Sequence, residues 1–153
     1  MAAVVFQCKP FSELTAAEVY AMLALRSAVF VVEQQCLYLD PDGLDVGAHH
    51  LFGWTTAVPE SLVCGVRILA PGAVYAEASV GRVVTAPAHR GTGLGRTLME
   101  QALSECARLY PGHAVKIGAQ HYLERFYAAL GFTTVSEPYD EDGILHVKMR
   151  RPG

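Results

Sequence analysis

The glycine-rich stretch at residues 90–95 has the composition of a site for phosphate groups. It reads Arg-Gly-Thr-Gly-Leu-Gly and separates a strand-like run, which Pro87 ends, from an amphipathic helical segment. Glycine accepts positive φ and has no Cβ to keep a phosphate away from the backbone. The start of a helix offers unpaired amides and a partial positive charge, and Arg90 or Arg96 can add a charge-assisted hydrogen bond. These residues predict a pyrophosphate site.

The spacing of the glycines narrows the ligands that such a site could hold. Glycines stand at 91, 93 and 95, which is not the G-x-G-x-x-G of dinucleotide-binding folds, and no lysine completes a G-x-x-x-x-G-K-[ST] loop. For an isolated triplet, a helix that merely begins with glycines is the alternative. The preceding strand, the basic residue and the following helix favour the phosphate site. These residues are also compatible with a protein that binds a different nucleotide or a phosphate.

Hydrophobic periodicity predicts an α/β fold that positions this turn. Apolar residues at every second position predict strands, and apolar stripes with helical spacing predict helices. The predicted strands are residues 4–8, 50–56, 62–69, 78–85, 114–118, 132–135 and 145–149. The predicted helices are residues 16–32, after a capping box of Thr15 and Glu18, 93–110 and 121–130. Asp142-Gly143 predicts a tight turn before the last strand. Because turns join the early and late strands while helices join the middle ones, the sheet is mixed.

Composition limits the class of protein. The chain of 153 residues has the size of one domain, covering 1–153, and its net charge of −3 provides no broad cationic surface for nucleic acid. No stretch reaches the ~18 consecutive apolar residues of a membrane span. The four cysteines lack metal-site spacing. They fit the buried thiols of a cytoplasmic protein better than a disulfide framework, which their even number leaves open.

Two motifs make the chain resemble the GNAT superfamily of N-acetyltransferases. The turn at 90–95 matches, without a mismatch, the family pattern Gln/Arg-x-x-Gly-x-Gly/Ala that binds the pyrophosphate of acetyl-CoA. The Phe-Tyr-x-x-Leu-Gly-Phe of residues 126–132 is similar to the later signature of the family. Residues 25–45 and 137–146 are similar to its ElaA-type branch, so the resemblance covers nearly the whole chain.

The resemblance implies a fold, a co-substrate and a reaction. The fold would be a mixed, mostly antiparallel central sheet of about seven strands, flanked by helices and splayed between strands four and five, where acetyl-CoA enters. The reaction would move the acetyl group to a primary amine of a small-molecule or protein acceptor, by direct attack through a tetrahedral intermediate. A catalytically idle acyl-CoA-binding module of the same fold is the alternative. The cofactor contacts that the resemblance implies are Val83, Val84, Thr85, Arg90, Gly91, Thr92, Gly93, Leu94, Gly95, Arg96 and Gln120. The first three would pair with the pantetheine arm like an added strand.

The reaction needs an acid and a base, and the sequence contains candidates for both. Tyr127 matches the family position of the acid that protonates the departing thiolate, and a half-buried core aromatic is the alternative. The strand at 114–118 lacks the carboxylate that some relatives use as the base. The candidates for the base are Glu33, at the start of the acceptor-side loop, His49 and His50. A relay through water is the alternative.

The acceptor-side loop is acidic, with Asp40, Asp42 and Asp45 following Glu33. One interpretation is that these carboxylates attract a cationic amine. The other is that aspartate is simply favoured in turns. The spacing lacks the late glutamate of a calcium loop, so no metal site is expected. Exposed strand edges in a mixed sheet favour a homodimer.

Overall fold

Eight strands form one sheet in the computed structural model, which describes residues 3–153. In chain order the strands are β1 (Val4–Pro10), β2 (His49–Thr55), β3 (Leu62–Leu69), β4 (Ala78–Thr85), β5 (Val115–Gln120), β6 (Thr133–Thr134), β7 (Tyr139–Glu141) and β8 (Ile144–Arg151). The helices are α1 (Ala16–Arg26), α2 (Leu94–Leu109) and α3 (Glu124–Ala128). All seven predicted strands are present, and β7 is the one that the sequence did not predict.

The strand order explains where the sheet opens. Neighbouring strands run β1-β2-β3-β4-β5-β8-β6, and β7 also pairs with β8. Every pair is antiparallel except β4 with β5. These two strands pair only at their amino-terminal ends, Ala78 with Val115 and Ser79 with Lys116. They separate beyond that point, which confirms the predicted splay and leaves residues 80–85 of β4 without a strand neighbour on that side.

The amphipathic pattern of α2 holds this helix on one face of the sheet. Its buried side chains form one stripe along the helix and pack against β3 and β4; they are Leu98, Met99, Ala102, Leu103 and Cys106. Burying one leucine or methionine side chain contributes about 1.5–3 kcal/mol. The packing fixes the first turn of α2 beside the end of β4, where the position of a Gly95 Cβ is 4.0 Å from Thr85 Oγ1. Within residues 3–153, the helices are too short or too polar to cross a membrane.

A capping box starts α1, as predicted. Thr15 Oγ1 accepts from the Glu18 amide at 3.1 Å, and the Glu18 carboxylate accepts from the Thr15 amide at 2.9 Å. The helix then continues as a π-helix over Ser27–Glu33. Within it Val29 and Phe30 are buried and pack with Val84 of β4. π-turns are wider than α-turns and are frequent at functional sites. The last residues of this π-helix lie at the opening in the sheet.

A two-residue turn joins β7 and β8. Asp142 and Gly143 have φ values of 53° and 79°, the pattern of a type I′ turn, which matches the twist of a β-hairpin. The predicted turn is therefore confirmed. The strand before it was missed because Tyr-Asp-Glu is short and polar and shows no apolar alternation.

Candidate active site

A cleft of about 760 Å³ lies where β4 and β5 separate. Cavities of this size hold small molecules and cofactors. The cleft has two parts with different linings. We call the part lined by residues 83–85, 90–91 and 93–95 the turn end. The hairpin end is the part lined by Cys36, Tyr38, Asp42, Leu44, Tyr75, Glu141, Asp142, Ile144, His146 and Lys148.

The glycines of the turn end have the backbone geometry of a phosphate cradle. Gly91 and Gly93 have φ values of 76° and 82°, which side chains rarely allow. Apart from the adjacent residues of the chain, no described atom lies within 4 Å of the Cβ position of either glycine, so the backbone is open to a ligand. Gly93 is also the N-cap of α2, a helix of 16 residues whose amides and dipole favour an anion. The turn therefore fits a pyrophosphate.

β4 presents an open edge to the cleft. Its pairing with β3 shifts register between Gly65 and Arg67, so that Arg82 and Val83 together oppose a single residue, and Arg82 has a φ of 50°. Such a bulge bends a strand and increases its twist. Residues 83–85 line the cleft beyond the bulge. Because they lack a partner strand there, an extended chain can pair with them as an added strand.

Two of the predicted cofactor contacts do not line the cleft. Thr92 is exposed, and its hydroxyl donates to the His89 carbonyl at 2.9 Å. Arg96 is exposed on α2 and lies 3.9 Å from Glu100, one helical turn further on. The structure thus brings Gly91, Gly93, Leu94 and Gly95 to the cleft but leaves these two side chains outside it.

Arg90 and Glu33 meet at the mouth of the turn end. The Arg90 guanidinium donates to both Glu33 oxygens, at 2.8 and 2.6 Å, and to the Thr85 carbonyl at 3.2 Å. The hydrogen bonds from Arg90 lower the pKa of Glu33. A carboxylate with a lowered pKa takes up protons poorly, so its surroundings do not favour Glu33 as the base. Arg90 is close to the glycines, as the pyrophosphate prediction requires.

Tyr127 is buried in the wall of the cleft, on α3. Its ring packs edge-on against Phe126 and Phe132, at centroid distances of 5.1 and 5.9 Å. Burial raises the pKa of Tyr127 to about 12, so the hydroxyl is protonated at neutral pH and releases its proton less readily than an exposed phenol does. Gln120, at the end of β5, also lines the cleft, and its amide donates to Gln34 Oε1 at 3.3 Å.

The two histidines at the start of β2 lie away from the cleft. His50 is 1% exposed, and its Nε2 is 2.9 Å from the Asp45 carbonyl oxygen. Desolvation lowers the pKa of His50. His49 is half-buried on the strand and does not line the cleft either. The structure therefore gives neither residue a path to a substrate in the cleft, and it corrects the suggestion of His50 as a base.

The three aspartates of the loop are paired with arginines. Arg26 at the end of α1 lies 2.8 Å from Asp40 and 2.9 Å from Asp45. Arg67 of β3 lies 2.8 Å from Asp42 and 3.3 Å from Asp45. Arg82 of β4 lies 2.9 Å from Asp40. Three positive charges thus balance three negative charges. The three aspartates therefore do not form a negatively charged surface that attracts a cationic amine. Asp42 does have a turn role as well, since it accepts from the Leu44 amide at 3.0 Å.

The pairing also sets the protonation of these aspartates. Burial disfavours the charge of Asp42, but hydrogen bonds from Arg67 and the Leu44 amide outweigh it and lower the pKa to about 2. The pKa of Asp45 is likewise lowered, because hydrogen bonds and charge from Arg26 outweigh its burial. Asp42 and Asp45 are therefore ionised at neutral pH, and their contacts with the arginines tie the loop to the sheet.

Comparison with known proteins identifies the family. The acetyltransferase (GNAT) domain profile matches residues 60–152. This chain belongs to the GNAT acetyltransferase family. ElaA of Escherichia coli is 42% identical over 142 residues, which are 92% of this chain and 91% of ElaA. A UPF0039 protein of Synechocystis is 46% identical over 139 residues, which are 91% of this chain and 89% of that protein.

Solved structures of relatives agree in fold with this GNAT domain. The crystal structure of an acyl-CoA N-acyltransferase from Pseudomonas aeruginosa superposes with a TM-score of 0.92 and 42% identity, over 97% of this chain and 99% of that one. Escherichia coli ElaA superposes with a TM-score of 0.90 and 40% identity, over 97% and 99% of the two chains. The resemblance to the ElaA branch is confirmed, and the fold is that of acyl-CoA N-acyltransferases, which use an acyl-CoA as co-substrate.

The hairpin end of this GNAT domain contains side chains that the sequence analysis did not select. His146 lines the cleft, with Nδ1 2.7 Å from the Ile144 carbonyl oxygen and Nε2 3.4 Å from Glu141 Oε2. Lys148 follows on the same face of β8, beside Tyr75. The alternation of polar and buried residues along β8 is the signal that could have marked this face.

Proposed function

We propose that this GNAT domain transfers the acetyl group of acetyl-CoA to a primary amine by direct attack through a tetrahedral intermediate. One observation carries the proposal: a single cleft contains the open edge of β4, the glycine turn and Tyr127. The edge suits the extended pantetheine arm, the turn suits the pyrophosphate, and the phenol suits the departing sulfur.

The turn end would hold the co-substrate. Backbone groups of residues 83–85 pair with the pantetheine arm, and the amides of residues 91–95 bind the pyrophosphate. Arg90 exchanges part of its contact with Glu33 for the phosphate, which accepts charge-assisted hydrogen bonds in the same way as a carboxylate. Acetyl-CoA supplies a thioester, whose C–S bond is the bond that breaks.

We propose His146 as the group that accepts the proton of the amine. The Ile144 carbonyl oxygen can only accept, so Nδ1 carries the hydrogen and the lone pair stands on Nε2. Glu141, 3.4 Å from Nε2, stabilises the imidazolium that forms. His146 and Tyr127 both line the cleft. Each of them therefore serves one of the two proton transfers of the reaction.

In the proposed reaction one bond forms, one bond breaks and two protons move. The amine nitrogen attacks the carbonyl carbon, which forms the N–C bond and a tetrahedral intermediate, and the C–S bond breaks when this intermediate collapses. The proton of the nitrogen goes to His146 Nε2, and the sulfur receives the proton of the Tyr127 hydroxyl. Solvent returns the proton from His146 to Tyr127, and the products are an N-substituted acetamide and the CoA thiol.

The test measures free CoA thiol while the purified protein is incubated with acetyl-CoA and a panel of primary amines. We expect thiol release only with a suitable amine, and a drop in kcat of about 100-fold in His146→Gln, the size of a general-base contribution. His113→Gln, in the exposed turn after α2, is the control and should match the wild type. Binding of CoA without turnover over the whole panel would favour the idle module. A titration with CoA that gives no heat would contradict both functions.

We also propose the cytoplasm as the place of this reaction. Cys8, Cys36, Cys64 and Cys106 are free thiols. Burial raises the pKa of Cys64 and of Cys106 to about 12, which keeps them unreactive. Free thiols persist in reducing compartments. Cell fractionation that finds the protein in a secreted fraction would overturn this assignment.

A further inference from the structure

Lys148 stands between two tyrosine rings at the hairpin end of the cleft. Its Nζ donates to Tyr75 Oη at 2.8 Å and lies 5.1 Å from the centre of the Tyr75 ring and 4.8 Å from that of Tyr139. Gly118 of β5 is directly opposite Lys148 in the sheet. A Cβ at Gly118 would be 3.0 Å from the Tyr139 hydroxyl. The glycine therefore provides the room in which the three side chains meet.

Lys148 differs from the other cations that line the cleft. Arg67, Arg82 and Arg90 each form a salt bridge with a carboxylate. Among residues 3–153 no carboxylate lies within salt-bridge distance of Lys148. Burial opposes its charge, but the hydrogen bond to Tyr75 outweighs this and raises the pKa of Lys148. The hairpin end thus contains a half-buried ammonium without a counter-ion.

The groups around this ammonium are hydrogen-bond donors. Two N–H groups of Lys148 remain after the bond to Tyr75. Tyr75 Oη accepts from Lys148, so its own hydrogen is free to be donated. Tyr139 Oη is buried and has no hydrogen-bond partner within the described part of the chain. The Lys148 ammonium and the Tyr75 phenol both line the cleft, and their donors match the oxygens of a carboxylate.

Resting on the proposed acetyl transfer, we infer that Tyr75 and Lys148, with the Tyr139 ring packed behind Lys148, bind a carboxylate of the acceptor. The acceptor is then a small amino acid, with its amine at His146 and its carboxylate at Lys148. These two residues alternate on β8 and share a face. Alternate residues of a strand are about 6.8 Å apart. Two hydrogen bonds and the short link between the amine and the carboxylate of an amino acid span this distance.

The charges elsewhere at the hairpin end agree with a zwitterion rather than with a polyamine. The carboxylates of Asp40, Asp42 and Asp45 are occupied by arginines. Glu141 is within 3.4 Å of His146 and is near the proposed place of the amine. Among the described residues of the hairpin end, Lys148 remains for a carboxylate of the acceptor, and Glu141 and Asp142 remain for its amine. An amino acid carries both groups.

Binding of product analogues tests the inference without requiring turnover. The probes are N-acetylglycine and N-methylacetamide, which differ only in the carboxylate, titrated into the protein saturated with CoA and followed by calorimetry. N-acetyl-L-phenylalanine and N-phenethylacetamide form a second such pair for a larger pocket. We expect the carboxylate-bearing member of at least one pair to bind at least about 10-fold more tightly, the effect of a hydrogen bond to a charged group.

Two variants locate the effect. Lys148→Met keeps the length of the side chain but removes its charge, and should abolish the preference for the carboxylate while CoA binding stays unchanged. Lys116→Met is the control, because Lys116 also lies over the Tyr75 ring, at 5.1 Å, but does not line the cleft. Lys148→Arg should restore a part of the preference. Thermal unfolding of each variant verifies that it is folded.

The outcomes separate this inference from the proposed function. Equal affinity within both pairs, no binding of either carboxylate, or a preference that survives in folded Lys148→Met would overturn the inference. Acetylation of amines that lack a carboxylate, at the same kcat/KM as the matching amino acids, would also overturn it while supporting the acetyl transfer. Carboxylate-dependent binding in a protein that acetylates no amine would uphold the site and contradict the proposed function.

Discussion

The two ends of the cleft are built in different ways. The turn end is made of backbone: an open strand edge, two glycines with positive φ and a helix start, all within residues 80–95. The hairpin end is made of side chains from distant parts of the chain, among them Tyr38, Tyr75 and Lys148. A backbone site suits a ligand group common to all reactions of a family. A side-chain site can change residue by residue and so can define the acceptor.

The two ends also differ in charge. At the turn end, Arg90 and Glu33 form an exposed pair that a competing anion can open. At the hairpin end, the loop is fixed by a buried network in which Arg26 is 2% exposed and Asp40 4% exposed. On the proposed function, Arg90 would leave Glu33 when the ligand binds at the turn end, whereas the buried network would hold the hairpin end unchanged.

The largest effect is expected from breaking the buried network. Asp45→Asn removes a charge that two arginines share, so a guanidinium charge is left without its full compensation, and the free energy of unfolding should fall by about 3–5 kcal/mol. Chemical denaturation measures this change. Asp140→Asn, on the exposed β7, is the matched control and should differ from the wild type by less than about 0.5 kcal/mol. Equal stability of the two variants would show that the loop is not held by the network.

The same network gives stability a defined dependence on pH. The pKa of folded Asp42 is about 2, below its ordinary value, so its contribution is complete above the unfolded pKa and is lost as the pH falls towards 2. The lowered pKa of Asp45 acts in the same direction. We expect the melting temperature to decrease between about pH 4 and pH 2, and to decrease less steeply in Asp45→Asn. Parallel melting curves over this range would contradict the pairing.

Tyr127→Phe removes the proposed acid and should lower kcat at least about 100-fold, the usual contribution of an acid in the transition state. Because the ring and its packing stay, the affinity for CoA should not change. Steady-state kinetics and calorimetry separate the two quantities. Tyr20→Phe, on the exposed side of α1, serves as the control. Full activity of Tyr127→Phe would remove this residue from the acid role.

Gly93→Asp tests the backbone character of the turn end. The substitution places a carboxylate at a φ of 82° where the pyrophosphate would lie, and we expect about 30-fold weaker binding of CoA, or ~2 kcal/mol. Gly112→Asp has the same kind of backbone, with a φ of 79°, but lies beyond the end of α2 and controls for strain. Similar affinities of these two variants would place the phosphate elsewhere.

The smallest effect is expected at the exposed pair. Glu33→Gln leaves Arg90 without its carboxylate partner, so CoA should bind about twofold to fivefold more tightly, since exposed pairs are weak. The kcat should stay near that of the wild type, because the lowered pKa of Glu33 already makes it a poor base. Calorimetry and kinetics on this variant measure both. A large loss of kcat would instead return Glu33 to the base role.

The turn end could be predicted from the sequence because its parts are contiguous. The strand, the glycines and the start of α2 follow one another, and local rules of glycine and of helix ends apply directly. The capping box of Thr15 and Glu18 was predictable for the same reason. Such features depend on neighbours within a few positions along the chain.

The hairpin end could not be predicted in the same way, since its contacts join distant segments. Asp40 meets Arg82 across 42 positions and Asp42 meets Arg67 across 25, and sequence alone does not reveal such partners. Three aspartates without visible partners therefore looked like an acidic surface. Lys148 was overlooked because a lysine in a strand is ordinarily a solvated side chain, and only the fold places it beside Tyr75.

A titration of the ¹⁵N-labelled protein with CoA, followed through its backbone amide resonances, tests the central claim most directly. The account predicts that the largest shifts, with slowed amide exchange, occur at residues 83–85 and 91–95, while the amides around Asp40 and Asp45 change little. Large shifts confined to other parts of the sheet, with the glycine turn unchanged, would contradict it.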